Sequence, residues 1–123
     1  VPICRIVAQT SVAHEPLYFT TAPGKSITKI LKKSGLAIED IDLFEINEAF
    51  SNVTLASMRE HSIPHDKVNI HGGAVSLGHP IGASGARILV TLISALQQQQ
   101  KKRGLATLCI GGGEAAALIV EII

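Results

Sequence analysis

Between Asn69 and Arg87 the chain runs Asn-Ile-His-Gly-Gly-Ala-Val-Ser-Leu-Gly-His-Pro-Ile-Gly-Ala-Ser-Gly-Ala-Arg, and five glycines and one proline surround His79. Glycine lets the backbone approach itself or a ligand where a Cβ would clash. Pro80 fixes the turn after the histidine and removes one backbone donor. A long apolar-striped helix follows at once. These residues specify a stiff loop that presents one imidazole at a helix entrance, which is how a catalytic base is built.

The rest of the chain supplies a core for such a loop. Apolar residues make up 46% of the 123, enough for one domain, and no polar low-complexity tract points to disorder. The net charge is +1 and aromatics are 3%. Neither a basic footprint nor stacking platforms for single-stranded nucleic acid are present. No apolar run reaches the ~20 residues a membrane-spanning helix needs. Cys4 and Cys109 are too few and too far apart for a disulfide framework, which fits a reducing compartment. The chain begins at Val1 rather than Met, which leaves room for a removed targeting segment.

Residues 3–13 mix β-branched and small residues and read as a strand. His14 to Gly24 reads as a loop with Pro16 and Pro23. Ile27, Ile30 and Leu31 are spaced for a helix over 25–34, with Gly35 as its C-cap. Leu43 to Ile46 is a short buried strand after a connector anchored by Ile38 and Ile41. A helix is predicted from Asn47 through His61, with Phe50, Val53 and Met58 turned to the core and Pro64 blocking extension. Val68 to Ile70 begins a further strand. Ile88, Leu89, Leu92, Ile93 and Leu96 line one face of a helix over 83–100. Lys101, Lys102 and Arg103 form its solvated end and suit the negative end of the helix dipole. Strands over 105–110 and 115–123 flank a sharp turn at Gly111–Gly113. The expected fold is α/β: a mixed, mostly parallel five-stranded sheet with helices on both faces, closed by an antiparallel hairpin.

Three elements that follow predicted strands carry chemistry: Asn47-Glu-Ala-Phe50, Gly78-His79-Pro80 and Cys109-Ile-Gly-Gly-Gly113. The carboxyl ends of strands form the ligand crevice of open α/β sheets. A histidine exchanges a proton near neutral pH. A thiol serves as acid, base or nucleophile after modest tuning. An asparagine amide holds a water or donates to an oxyanion, and the glycine triplet leaves backbone N–H groups free for a substrate oxygen. Plainer roles stand beside these: Cys109 as a small buried hydrophobe, Asn47 as a helix cap, His79 as a polar loop residue. Cys4 reads as core. His61, His65, His71 and His79 have no zinc-ligand spacing, so no metal is expected. The glycines at 78, 82 and 85 match neither a P-loop nor a dinucleotide fingerprint.

In order and in content, these elements resemble the C-terminal half of a thiolase. The resemblance covers essentially the whole chain and is carried by Asn47-Glu-Ala-Phe50, the run from Gly72 to Arg87, and Cys109-x-Gly-Gly-Gly. It implies thiolytic cleavage of 3-ketoacyl-CoA or the reverse Claisen condensation. His79 then matches the histidine that activates a nucleophilic cysteine and helps stabilise the thioester enolate. Asn47 matches the asparagine that holds a water in that oxyanion hole. Cys109 matches the acid/base, and Gly111 the glycine whose N–H enters a second oxyanion hole. Phe50 and Phe19 match positions lining the acyl pocket.

The family's nucleophilic cysteine lies in an N-terminal domain that this chain does not contain, so 1–123 reads as a thiolase C-terminal domain, inactive alone. The resemblance implies acyl-CoA and CoA as ligands, the N-terminal domain as partner, a homo-oligomer, a mitochondrial or cytoplasmic setting and no cofactor. The Phe19 loop and Ala74-Val-Ser-Leu77 lean to the short-chain acetoacetyl-CoA branch, whose mitochondrial members use potassium. His71 and Glu114 depart from the family's usual residues. Two other readings remain: a ketoacyl-synthase-type condensing enzyme, against which Cys109 counts, and an inert dimerisation or lipid-binding domain.

Overall fold

The computed structural model describes all residues, Val1–Ile123. Strands β1 (Cys4–Ala13), β2 (Leu43–Ile46), β3 (Arg103–Ile110) and β4 (Glu114–Ile122) form one sheet in the order β1-β4-β3-β2. The sheet thus has four strands rather than five. Only β2 and β3 run parallel; β1 and β3 both lie antiparallel to β4, so the mixed sheet is mostly antiparallel. The three-glycine turn folds β4 back along β3, and β1 then takes β4's open edge.

The absent strand has a local cause. Val68 makes a single parallel bridge to Phe44, and then Asn69 turns to a φ of 48°, which ends extended structure. The Asn69 side chain continues the ladder in place of a backbone: its Oδ1 accepts from the Ile46 N–H at 2.9 Å and its Nδ2 donates to the Ile46 carbonyl at 2.9 Å.

Helices cover both faces. Helix α1 (Ala22–Ser34) starts three residues earlier than its periodicity predicts, because Pro23 fits the first helical turn. It ends where Gly35 adopts φ 70° and its N–H donates to Leu31. Residues 16–21 ahead of it form 3-10 turns rather than open loop. Ile27 and Ile30 of α1 are fully buried against Phe44, Ile46, Leu105 and Ile119. Each such side chain contributes roughly 1.5–3 kcal/mol of burial. Helix α2 (Ser51–His61) buries Val53 and packs the half-buried Met58 against this core, and stops at Ser62 in the left-handed region, two residues before Pro64.

On the opposite face lies α4 (Ser84–Gln98), whose Ile88, Leu92, Ala95 and Leu96 bury against Leu43, Ala106 and Val120. Gly104 is required here: a Cβ on it would stand 2.7 Å from Leu92 Cδ1. Arg103 does not belong to the solvated end of α4. It opens β3, and its guanidinium grips Glu121, which also takes Arg5 at 2.7 Å and Lys102 at 3.8 Å. Arg103 hydrogen bonds hold the Glu121 carboxyl below the usual range.

Candidate active site

β2 and β3 are parallel neighbours, so their carboxyl ends share one rim of the sheet. Ile46 pairs with Thr107; Asn47 and Cys109 come just after that pair. The Asn47 N–H still donates to the Thr107 carbonyl at 3.0 Å, and its side chain is fully buried. Asn47 therefore extends the sheet. It does not open α2: the helix begins four residues later, with Phe50 at its N-cap and no side-chain capping bond. The capping role is excluded by position, and the buried amide needs another partner.

Its partners come from the glycine stretch and α4. Asn47 Nδ2 lies 3.5 Å from His79 Nδ1, and Asn47 Oδ1 accepts from Arg87 Nη2 at 3.4 Å. His79 is half-buried. Its Nδ1 is 2.5 Å from Ser84 Oγ, and Ser84 in turn donates to the Pro80 carbonyl at 3.1 Å. With its one proton on the Pro80 carbonyl, Ser84 accepts from His79 Nδ1–H. That tautomer leaves the Nε2 lone pair free, as a general base requires.

The loop that carries His79 contains a one-turn helix, α3 (Ala74–Leu77), rather than irregular backbone throughout. Glu48 holds it. One Glu48 oxygen accepts from the Val75 N–H at 3.0 Å, and the other accepts from Asn69 Nδ2 at 3.3 Å. Gly73 lies directly beneath this carboxylate, and a Cβ there would stand 2.5 Å from it and displace the Glu48 side chain.

Cys109 is 9% exposed, and burial pushes its thiol above the ordinary range, against a smaller opposing backbone hydrogen bond. At neutral pH burial keeps it in the protonated, thiol form. Strand alternation sends Cys109, like Thr107, toward the α1 face, where Thr107 Oγ1 meets Ser26 Oγ at 2.7 Å. Asn47, like Glu45, leaves toward α4. The two leave opposite faces of the sheet at the same rim. Beyond Cys109, the N–H groups of Gly111 and Gly112 donate to no backbone or side-chain acceptor in the chain. Phe50 is 63% exposed rather than core, and packs edge-on against Phe19 with ring centres 6.3 Å apart.

Four polar residues of this network were not singled out from the sequence: Glu45, Glu48, Ser84 and Arg87. Glu45 stands in an otherwise apolar strand, a buried position that demands a cationic partner. That signal was legible. Ser84 and Arg87 carried none beyond their place just after the glycines.

Glu45 is fully buried beside Arg87 Nη1 at 3.2 Å, and burial, only partly offset by Arg87, pushes its carboxyl up to about 7; nearby Glu48 adds to the rise. A carboxyl whose folded pKa is raised stabilises the fold most below its unfolded value of 4.5, and that stability drains away as pH rises to about 7. Urea denaturation of wild type and Glu45→Gln across pH 4.5–8 should therefore show wild type losing about 3 kcal/mol relative to the variant. A difference that stays flat would mean Arg87 keeps Glu45 ionised throughout.

No group of three His, Cys, Asp or Glu side chains gathers as a metal site. Two buried polar side-chain atoms, His14 Nε2 and Glu114 Oε2, have no partner. A cavity of about 730 Å³, walled by the sheet with α1 and α4, is lined by none of Asn47, His79 or Cys109.

Against known proteins, the family model described as the thiolase C-terminal domain matches residues 1–122. The chain belongs to the thiolase family. It is 52% identical over 120 residues to the mitochondrial acetyl-CoA acetyltransferase of Rattus norvegicus, covering 98% of this chain and 28% of that protein. It is 48% identical to a probable acetyl-CoA acetyltransferase of Dictyostelium discoideum, covering 98% of this chain and 29% of the relative. The crystal structure of the Bacillus anthracis acetyl-CoA acetyltransferase superposes with a TM-score of 0.97 at 42% identity, over 100% of this chain and 31% of that one. A thiolase from Ascaris suum in complex with coenzyme A gives a TM-score of 0.95 at 46% identity, over 100% of this chain and 32% of that one. This thiolase chain thus spans about three tenths of the length of its relatives.

Proposed function

We propose that this chain supplies one half of the active site of an acyl-CoA C-acyltransferase, an acetyl-CoA acetyltransferase that cleaves 3-ketoacyl-CoA thiolytically or condenses two acyl-CoA units. The observation that carries this is the contact of buried Asn47 with a His79 whose Nδ1 is committed to Ser84. Claisen chemistry needs a covalent acyl carrier, a base and two oxyanion sites. This chain supplies the last three.

In the thiolytic direction, His79 Nε2 takes the proton of a cysteine from the N-terminal domain, and that sulfur attacks the 3-keto carbon. The C2–C3 bond breaks and its electron pair moves to C2 as the enolate of the departing acyl-CoA. Asn47 Nδ2–H and the protonated His79 face the enolate oxygen, Asn47 through a held water. The Cys109 thiol, kept protonated by its burial, protonates C2. The resulting thiolate takes the proton of the CoA thiol, whose sulfur attacks the acyl-enzyme thioester while the Gly111 N–H donates to the oxyanion; the bond to the nucleophilic cysteine then breaks, and its thiolate recovers its proton from His79. Condensation runs through the same steps reversed. Phe19 and Phe50 wall the acyl group.

None of the proposed catalytic side chains lines the 730 Å³ cavity, and Phe50, Val75, Leu77 and Ile81 stand exposed. A second domain closing over the rim fits both features, as does assembly into a homo-oligomer. A mitochondrial or cytoplasmic setting fits the relatives' names, and no helix is long and apolar enough to cross a membrane. No step is routed through potassium.

The test joins the chain behind the N-terminal thiolase domain of the rat relative and follows acetoacetyl-CoA cleavage by CoA. Turnover is expected from the joined protein and from neither part alone. A folded joined protein no faster than its His79→Ala variant would end the proposal.

A further inference from the structure

We infer that Arg87, held in place by Glu45, is a positioning residue that fixes which way the Asn47 amide faces, an inference that rests on the acyltransferase reading above. A guanidinium carries donors only, so the Asn47 atom it touches must be the oxygen. Arg87 Nη2 to Asn47 Oδ1 is 3.4 Å, and the other arm, Nη1, reaches Glu45 Oε2 at 3.2 Å. The Arg87 fork therefore spans both side chains at once, as a lysine cannot. With its oxygen claimed by the guanidinium, the amide has one orientation left, Nδ2 on the His79 side, 3.5 Å from an Nδ1 whose proton is already given to Ser84, so Nδ2–H is left free for the site.

The chemistry depends on that choice. Asn47 must present a donor to the site, whether to a water or to a developing oxyanion. If the amide turned over, it would present an acceptor beside the forming negative charge. Its Nδ2 would then face Arg87, donor against donor. Glu45 plays the corresponding part for Arg87. It is on the same strand two residues before Asn47 and on the same face, and its side chain is 2% exposed, so it anchors the guanidinium rigidly. The Arg87 side chain is itself only 22% exposed. Glu45, Arg87 and Asn47 thus form a short buried line from the middle of β2 and the first turn of α4 to the rim. Arg87 touches no reacting atom on this account and acts only through Asn47.

Two measurements test it. In the 123-residue chain, the nuclear Overhauser peak between the Asn47 side-chain amide protons and the His79 ring should fall at least fivefold in Arg87→Lys and in Arg87→Gln. Glu45→Gln, which keeps an acceptor for Nη1, should keep the peak within twofold of wild type. Backbone amide shifts away from the site confirm that each variant is folded. An undiminished peak in a folded Arg87 variant overturns the inference. In the protein joined to an N-terminal thiolase domain, Arg87→Lys should lower kcat at least 20-fold with KM for acetoacetyl-CoA changed less than twofold. In an Asn47→Ala background the same substitution should cost no more than twofold. Full, independent losses in the double variant overturn the positioning role. If the joined wild type shows no turnover, the function fails and the resonance measurement still decides the geometry.

Discussion

Cys109→Ala should lower kcat for thiolysis by about 10²–10⁴-fold in a thiolase whose C-terminal domain is this chain. In the proposed reaction the departing fragment is a carbanion equivalent, and the thiol is the group that would protonate it. Steady-state cleavage of acetoacetyl-CoA reads the loss. A second readout separates this role from a general collapse of the site. Transfer of a labelled acetyl group from acetyl-CoA to the nucleophilic cysteine exchanges one thioester for another and needs no proton at C2. Cys109→Ala should slow this transfer far less than thiolysis, because CoA can leave as a thiolate whereas C2 must be protonated, and His79→Ala, which removes the proposed base for the nucleophilic cysteine, should lose it. Cys109→Ala with wild-type kcat, or with acyl transfer lost in step, would show that the buried thiol is only a small apolar side chain. The two residues are separable because they hang from different elements: Cys109 from the end of β3, His79 from the loop between α3 and α4.

Much of where these residues sit is legible in the sequence, because the rim residues follow short, strongly apolar strands that specify themselves. Leu43–Ile46 is buried at every position, and its end locates Asn47 without ambiguity. Gly35 and Pro64 marked helix ends through backbone geometry alone. Two of the differences share a cause: a polar group claims a backbone bond that the local pattern assigns elsewhere. Val68–Ile70 has a strand's composition, yet the Asn69 amide takes the ladder bonds that a strand would have made. Asn47 is a good helix cap by type, but its N–H is already claimed by Thr107, so the helix starts later and Phe50 is carried out of the core. Strand direction was misjudged because alternation of strands and helices favours parallel pairing, whereas the placing of β1 beside β4 is a contact between residues more than a hundred positions apart. No local pattern encodes that. The Ser84–His79 and Arg87–Asn47 contacts, by contrast, exist only once α4 lies on the sheet.

Gly113→Ala is the substitution expected to cost the fold most for the fewest atoms added. Gly113 sits at φ 94°, and a Cβ there would lie 2.3 Å from the His14 carbonyl oxygen and 3.0 Å from the Pro16 backbone. The left-handed conformation costs an L-residue roughly 1–2 kcal/mol, and forcing rigid neighbours apart adds about 1–3 kcal/mol. Neither neighbour is the tip of a flexible side chain. His14 is tied to this same residue, donating its N–H to the Gly113 carbonyl at 3.0 Å. A loss of about 3 kcal/mol corresponds to roughly 10 °C in Tm for a chain of this size, measured by thermal unfolding. Gly111→Ala is the control. Nothing lies within 4 Å of its added Cβ and its φ is not positive, so Tm should hold within about 2 °C. If Gly113→Ala melts with wild type, the turn yields freely, and the Gly111 N–H is then not held rigidly enough to serve as a preorganised donor. If it melts early as expected, the three-residue turn after Cys109 is braced by the segment after β1, and the oxyanion donor inherits its position from a contact on the far side of the hairpin.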